Sequence, residues 1–296
     1  MELQLFFQLL LNGLSIGLLY SLVCVGFVVI LSVPKVFNFA HGQFYMLGAY
    51  ALYAFHVMLG LNFALSLVLA ALSVGLIGAI CGRYVFMRVR PVAGQRLGES
   101  LLKAAAVTIG MGLIFQQMIL HSFGPAERGV KPIFPGVLDI GGVTVNLEKL
   151  AVTGYALCFI AILWWFLTKS RTGIAMRAAG MDQEAAILQG INTRGTFVVA
   201  VAAGTALAGA AGAIIAPVLA LGPEMGGPML HVAFMALLLG GMQSILGAGV
   251  GGLMLGIGLS FGFHFLGELG ELAFFLLIAL VLVFKPTGLM GGRLEV

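Results

Sequence analysis

The chain has 296 residues, a formal net charge of +4, and a content that is 61% hydrophobic but only 9% charged. With 43 glycines besides, too little polar side chain remains to coat a soluble globule. Disorder is excluded too, since disordered chains are poor in apolar residues. The pI near 9.1 comes without a basic face, so no nucleic acid is expected as a partner. The composition and the mean hydropathy of +1.12 describe an all-α, polytopic helical membrane protein forming one domain over residues 1–296.

Taken in order, the apolar runs predict spans at Gln8–Leu31, Phe37–Leu59, Leu61–Cys81, Leu101–Ser122, Leu150–Leu167 and Gly195–Leu221. Beyond them, Val232–Gln243, Leu246–Leu266 and Leu272–Phe284 form three spans, or two and a re-entrant piece. About 8 helices (7–9) are expected, since a helical span takes ~20 residues. The first run is too long for a signal-peptide core, and Glu2 is acidic where a signal is basic.

Basic residues set the orientation. Lys35, Arg83, Arg88, Arg90, Arg96, Lys103, Lys169, Arg171, Arg177, Arg194, Lys285 and Arg293 fall on one side, 12 of the 15 cations. That side is expected to be cytoplasmic, with the N-terminus outside and the C-terminus inside. The external loop is then 123–149. Within it, two β-type runs flank Gly141-Gly142 and suggest a small hairpin or an irregular cap. Small residues recur one turn apart at Gly13, Gly17 and Ser21, at Gly204, Ala208 and Gly212, and at Gly252, Gly256 and Ser260. This spacing suits close helix packing, within the chain or against another subunit.

The motifs for phosphate cradling and zinc hydrolysis are missing from the sequence. There is no GxxxxGK[ST] and no HExxH. Cys24, Cys81 and Cys158 are far apart and suggest small buried hydrophobes rather than a metal site. The spans are nearly free of charge, which argues against ion coupling. A neutral path suits a zwitterion or an uncharged solute. No cofactor and no covalent chemistry are expected, and any ATP must be hydrolysed by another chain.

Two constellations stand out. Asn38-Phe-Ala-His41-Gly42-Gln43 opens the second span with polar residues. One reading makes Asn38 a helix cap and puts His41 at headgroup level. The other is a broken helix whose freed backbone groups line a cavity. The second constellation lies in the loop 169–194. There Asp182 can cap a two-turn helix that Gly190 stops. Such a helix is too short to hold itself in water. Its small apolar face at Ala185 and Leu188 would dock on a partner or lie on its own bundle.

Glu184-Ala185-Ala186, with Gly190 after a three-residue gap, resembles the EAA loop of ABC-importer permeases, although Ala200, Ala202 and Ala203 stand where the general motif continues with Ile-x-Leu-Pro. The stretch from Asn38 to Tyr50 is similar to the second segment of branched-chain amino-acid permeases of the LivH type. So are Arg171-Thr-Gly with the Arg177–Ala186 loop, Ala233–Gly247, and Phe284-Lys-Pro-Thr-Gly-Leu-Met290. The resemblance implies a permease subunit of an ATP-driven importer in a bacterial inner membrane. It also implies two ATPase subunits, a second related permease and a periplasmic binding protein. Asp182, Glu184, Ala185, Ala186 and Gly190 would form the coupling helix, and Asn38, His41, Gly42 and Gln43 a helix break or part of the path. Relatives of this type also import urea, short amides and aromatic acids. A transporter or channel working alone remains the reading from another class.

Overall fold

Residues 2–90, 97–140, 142–242 and 244–291 are described by a computed structural model. The described residues are mainly α-helical, with one hairpin. In order it forms α1 (Glu2–Ser32), α2 (His41–Leu52), α3 (Phe63–Cys81), α4 (Met87–Val89), α5 (Leu97–Phe123), β1 (Val137–Ile140), β2 (Val143–Asn146) and α6 (Leu147–Lys169). Then come α7 (Arg171–Met181), α8 (Gln183–Leu188), α9 (Thr193–Ile215), α10 (Gly226–Gly240), α11 (Ile245–Leu266) and α12 (Leu269–Phe284). A π-helical run, Tyr53–Met58, extends α2, and another, Gly82–Phe86, joins α3 to α4. Among the described residues, 6 helices are long and apolar enough to cross a membrane, and α10 and α12 are shorter apolar helices. The chain is a multi-pass membrane protein.

Local chemistry sets the helix ends. Asn62, Asn146, Ser170, Asp182, Asn192 and Ser244 each accept a backbone N–H of the helix that follows, satisfying donors that a helix start leaves free. Pro217 has no N–H to continue α9, which stops at Ile215. The sequence placed that end at Leu221. It also began the second span at Phe37, whereas α2 starts at His41. The run from Val232 is the latter part of α10, which begins at Gly226; the expected end at Gln243 lies outside the described residues. The 11-residue α7 was not foreseen in the loop 169–194, because its apolar residues are sparse.

The repeated small residues pack within the chain. A Cβ on Gly17 would meet the Leu253 carbonyl, one on Gly256 would overlap the backbone of Gly17, and one on Gly252 that of Ser21. These contacts join α1 to α11, and the Ser21 hydroxyl donates to the Gly249 carbonyl at 2.6 Å. Gly204 of α9 sits on the Gly26 carbonyl of α1, and Gly212 on the Tyr45 carbonyl of α2. Lipid offers no hydrophobic drive between helices, so such close backbone contact is what holds them.

At one end of the bundle, β1 and β2 pair antiparallel, Ile140 opposite Val143. Gly142 takes φ +85 at their turn, a left-handed conformation natural to glycine. The Gln8 amide of α1 brackets Thr144, accepting from its N–H at 2.9 Å and donating to its carbonyl at 2.8 Å. Lys149 donates to Asn12, and Thr153 to Ser15. The buried Glu148 carboxylate accepts the N–H groups of Ile133 and Phe134, each at 2.8 Å. At the other end, the N–H groups of Leu289 and Met290 cap the Leu239 and Gly240 carbonyls that close α10.

Gly252→Leu is expected to force α1 and α11 apart and destabilise the protein by about 1–3 kcal/mol or more. Gly110, whose added Cβ meets nothing within 4 Å, gives the contrast. Gly110→Ala should be neutral or stabilise by about 0.5–1 kcal/mol. Thermal unfolding of both variants in detergent checks the pair.

Candidate functional site

After Ser32 the chain leaves the helical path. Lys35 takes φ +57, rare for a residue with a side chain. Val33, Pro34, Val36, Asn38 and Ala40 are all buried. The segment then climbs into the bundle and begins α2 at depth. His41 sits against the Val23 carbonyl, nine residues before the end of α1, or roughly 13 Å along its axis. Phe39 meets Thr108, 11 residues into α5, or roughly 16 Å. Within hydrocarbon, non-helical backbone persists only where protein or a watery cavity surrounds it.

His41 is buried within the bundle: its exposure is 0%. Its Nε2 lies 3.0 Å from the Val23 carbonyl. A carbonyl only accepts, so Nε2 carries the proton in the tautomer this bond requires. Nδ1 is then a buried acceptor with no partner. The ring meets Phe27 edge-on, with centroids 5.1 Å apart. Asn38 does not cap α2 either. The cap position is Ala40, which makes no side-chain bond to the helix. Asn38 Oδ1 instead accepts from the Ala40 N–H at 3.1 Å, tying the turn before the helix, and its Nδ2 is buried and unpartnered.

Gly42 lets two helix starts meet. A Cβ there would overlap the carbonyl of Gly226, the first residue of α10. The half-buried Gln43 directs its amide at Gly226 too, its Oε1 2.5 Å from where a Cβ on that residue would stand. That oxygen is buried without a partner. Thr108, fully buried, completes the site. Its Oγ1 accepts the Phe39 N–H at 3.2 Å and donates to the Ala104 carbonyl at 2.7 Å. Asn38, His41, Gly42 and Gln43 thus sit together, and the sequence reading missed Thr108 and Gly226. A hydroxyl within an apolar span and a Gly-Gly pair before one were the available signals. The site holds neutral donors and acceptors only. No cluster suited to a metal ion occurs among the described residues.

The second constellation lies at the cation-rich end. A Cβ on Gly173 would overlap the Phe166 carbonyl, so glycine permits the tight turn from α6 into α7. Met176 and Ala179 bury one face of α7. Asp182 Oδ1 then accepts from the Glu184 and Ala185 N–H groups at 2.9 and 3.0 Å. Gly190, at φ +77, ends the segment, and the Ile191 N–H closes on the Ala186 carbonyl at 3.0 Å. Ala186 is the buried residue of α8. Glu184 and Ala185 face outward, as do Ile187 at 52% and Leu188 at 86% exposure. Met181, just before, is 87% exposed. The helix therefore rests on its own bundle through Ala186 and holds Ala185 and Leu188 free.

Residues 9–284 match the family model described as branched-chain amino acid transport system / permease component. The chain is 31% identical to the high-affinity branched-chain amino acid transport system permease protein BraD of Pseudomonas aeruginosa, covering 98% of this chain and 97% of that protein. It is 30% identical to the permease protein LivH of the same kind of system in Salmonella typhimurium and in Escherichia coli K12, covering 97% of this chain and 96% of each. No solved structure matches the chain.

Thr108→Val keeps the side-chain shape but removes the acceptor of the Phe39 N–H. A buried donor left unpaired costs about 1–3 kcal/mol. The variant is expected to unfold at lower temperature in detergent by that margin, while Thr168→Val on the exposed end of α6 should not.

Proposed function

The chain belongs to the branched-chain amino acid transport system permease family, and from that premise we propose that it is the membrane-spanning permease subunit of an ATP-driven importer. Its solute is a branched-chain amino acid or a similar small neutral or zwitterionic molecule. The subunit works with two ATPase subunits, a second related permease and a periplasmic binding protein, in the inner membrane of a bacterium. It hydrolyses nothing itself. The chain crosses the bilayer nine times in this reading. The crossings are the six long helices, the shorter α12, α2 with its π-helical extension, and α10 with the chain that leads into it. This odd number leaves the N-terminus outside and the C-terminus inside. The cation-rich end is cytoplasmic, so the hairpin end is periplasmic.

The observation that carries the reading is α8. Six residues cannot keep a helix in water by propensity, yet this one has a cap, a stop and one buried alanine. Among the described residues, Ala185, Ile187 and Leu188 stay exposed. A groove on an ATPase subunit supplies their cover. Asp182 and Gly190 fix the helix, Ala185 and Ala186 allow close approach, and Glu184 faces the partner. Movement of the ATPase pair then enters the bundle through α7 and α9. Along the path, Asn38, His41, Gly42 and Gln43 mark the break at which the two helix starts separate or close. Their neutral hydrogen-bonding groups suit a solute without net charge.

Ala185→Trp and Leu188→Asp alter exposed positions, so the protein should still insert. Capture of the ATPase subunit and uptake should both fall at least about tenfold, the effect of losing ~1.4 kcal/mol. Pull-down with membrane level as control reads the first, and solute uptake the second. Normal capture and uptake in both variants would remove α8 from the mechanism.

Sidedness has its own measurement. In a Cys158→Ala background, Val137→Cys in the hairpin should react with an impermeant thiol reagent on intact cells. Leu188→Cys should react only after the membrane is opened. The reverse pattern would invert the orientation.

A further inference from the structure

Where α1 and α6 end, the bundle holds a cavity of about 660 Å³. The end of α1, the chain after it, the starts of α5 and α11, and α7 all contribute to its wall. Most of the lining is apolar, with Val33, Phe37, Leu167 and Met176 among it. Two cations also line it, Lys35 and Arg177, both largely exposed. Among the described residues that line it there is no Asp or Glu. Lys35 holds its place from the left-handed backbone at φ +57. An L-residue keeps such a conformation only where the surrounding structure imposes it.

We propose that this cavity binds the head group of an anionic phospholipid, with Lys35 and Arg177 on the phosphate and the apolar wall along the first part of the acyl chains. Three features select that ligand. The paired cations call for an anion, and a basic pocket between helices at a membrane surface is where anionic head groups bind. A zwitterionic amino acid fits less well, because its ammonium would find no carboxylate. Most of the other lining residues are apolar, so the ligand must be an anion joined to hydrocarbon. The inference requires that the chain spans a bilayer, and not that it transports any particular solute.

The test uses the intact chain in bilayer nanodiscs of phosphatidylcholine doped with phosphatidylglycerol, followed by extraction in mild detergent and native mass spectrometry. The wild-type protein should retain phosphatidylglycerol in preference to phosphatidylcholine. The double variant Lys35→Gln/Arg177→Gln should retain at least about tenfold less. The charge-preserving Lys35→Arg/Arg177→Lys should retain it as the wild type does, with melting temperature showing that all three are folded. Equal retention of the two lipids overturns the proposal. So does loss in the charge-preserving variant. Displacement by inorganic phosphate alone would show a small-anion site, displacement by leucine a solute site, and displacement by the ATPase subunit a protein interface. Each of those three results also overturns it.

Discussion

A stretch of non-helical backbone, Val33 to Ala40, lies inside a membrane protein, and much of the architecture exists to cover it. Hydrocarbon supplies no hydrogen bonds, so every N–H and carbonyl there must find a partner in the chain. Thr108 on α5 takes the Phe39 N–H, Asn38 takes that of Ala40, and α1 and α10 close the sides. The cover is incomplete at three side-chain atoms, Asn38 Nδ2, His41 Nδ1 and Gln43 Oε1.

Glycine makes that cover possible. At Gly42 and Gly226 two helix starts meet backbone to backbone, and at Gly204, Gly209 and Gly212 one face of α9 touches α1, α3 and α2 in turn. A soluble protein would fill these interfaces with interlocking apolar side chains driven together by water. Here the gain comes from close approach itself. This explains why a chain with 43 glycines still has long helices, although each glycine weakens an isolated helix.

The sequence made the long elements readable because period and length suffice for them. Asp182, Gly190 and the small-residue stripes carry their chemistry locally, so cap, stop and packing face could be placed before any coordinates. The α2 start could not be placed so well. Asn38 is a strong capping residue by type, but its oxygen serves the turn ahead of the helix, and the depth of His41 depends on α1 and α5 together. The α7 helix escaped because its buried residues, Gly173, Met176 and Ala179, are too few to mark a face. The ends of α9 and α10 were blurred by apolar connecting chain, since in this protein loops and spans share one composition. Of the candidate site, the polar cluster was legible, whereas Thr108 and Gly226 enter only through long-range packing.

The backbone contacts of α9 have a mechanical consequence. Interfaces built from side chains are compliant, since rotamers shift and absorb a small displacement before the next helix feels it. Between α9 and α2 that soft layer is missing at Gly212, which rests on the Tyr45 carbonyl, and at Gly48, which rests on that of Gly209. Asn192 fastens the start of α9 directly after the Gly190 stop. Any displacement of α9 would therefore meet a stiff train of backbone leading to the helix that begins at His41. Such a train loses little of its stroke on the way.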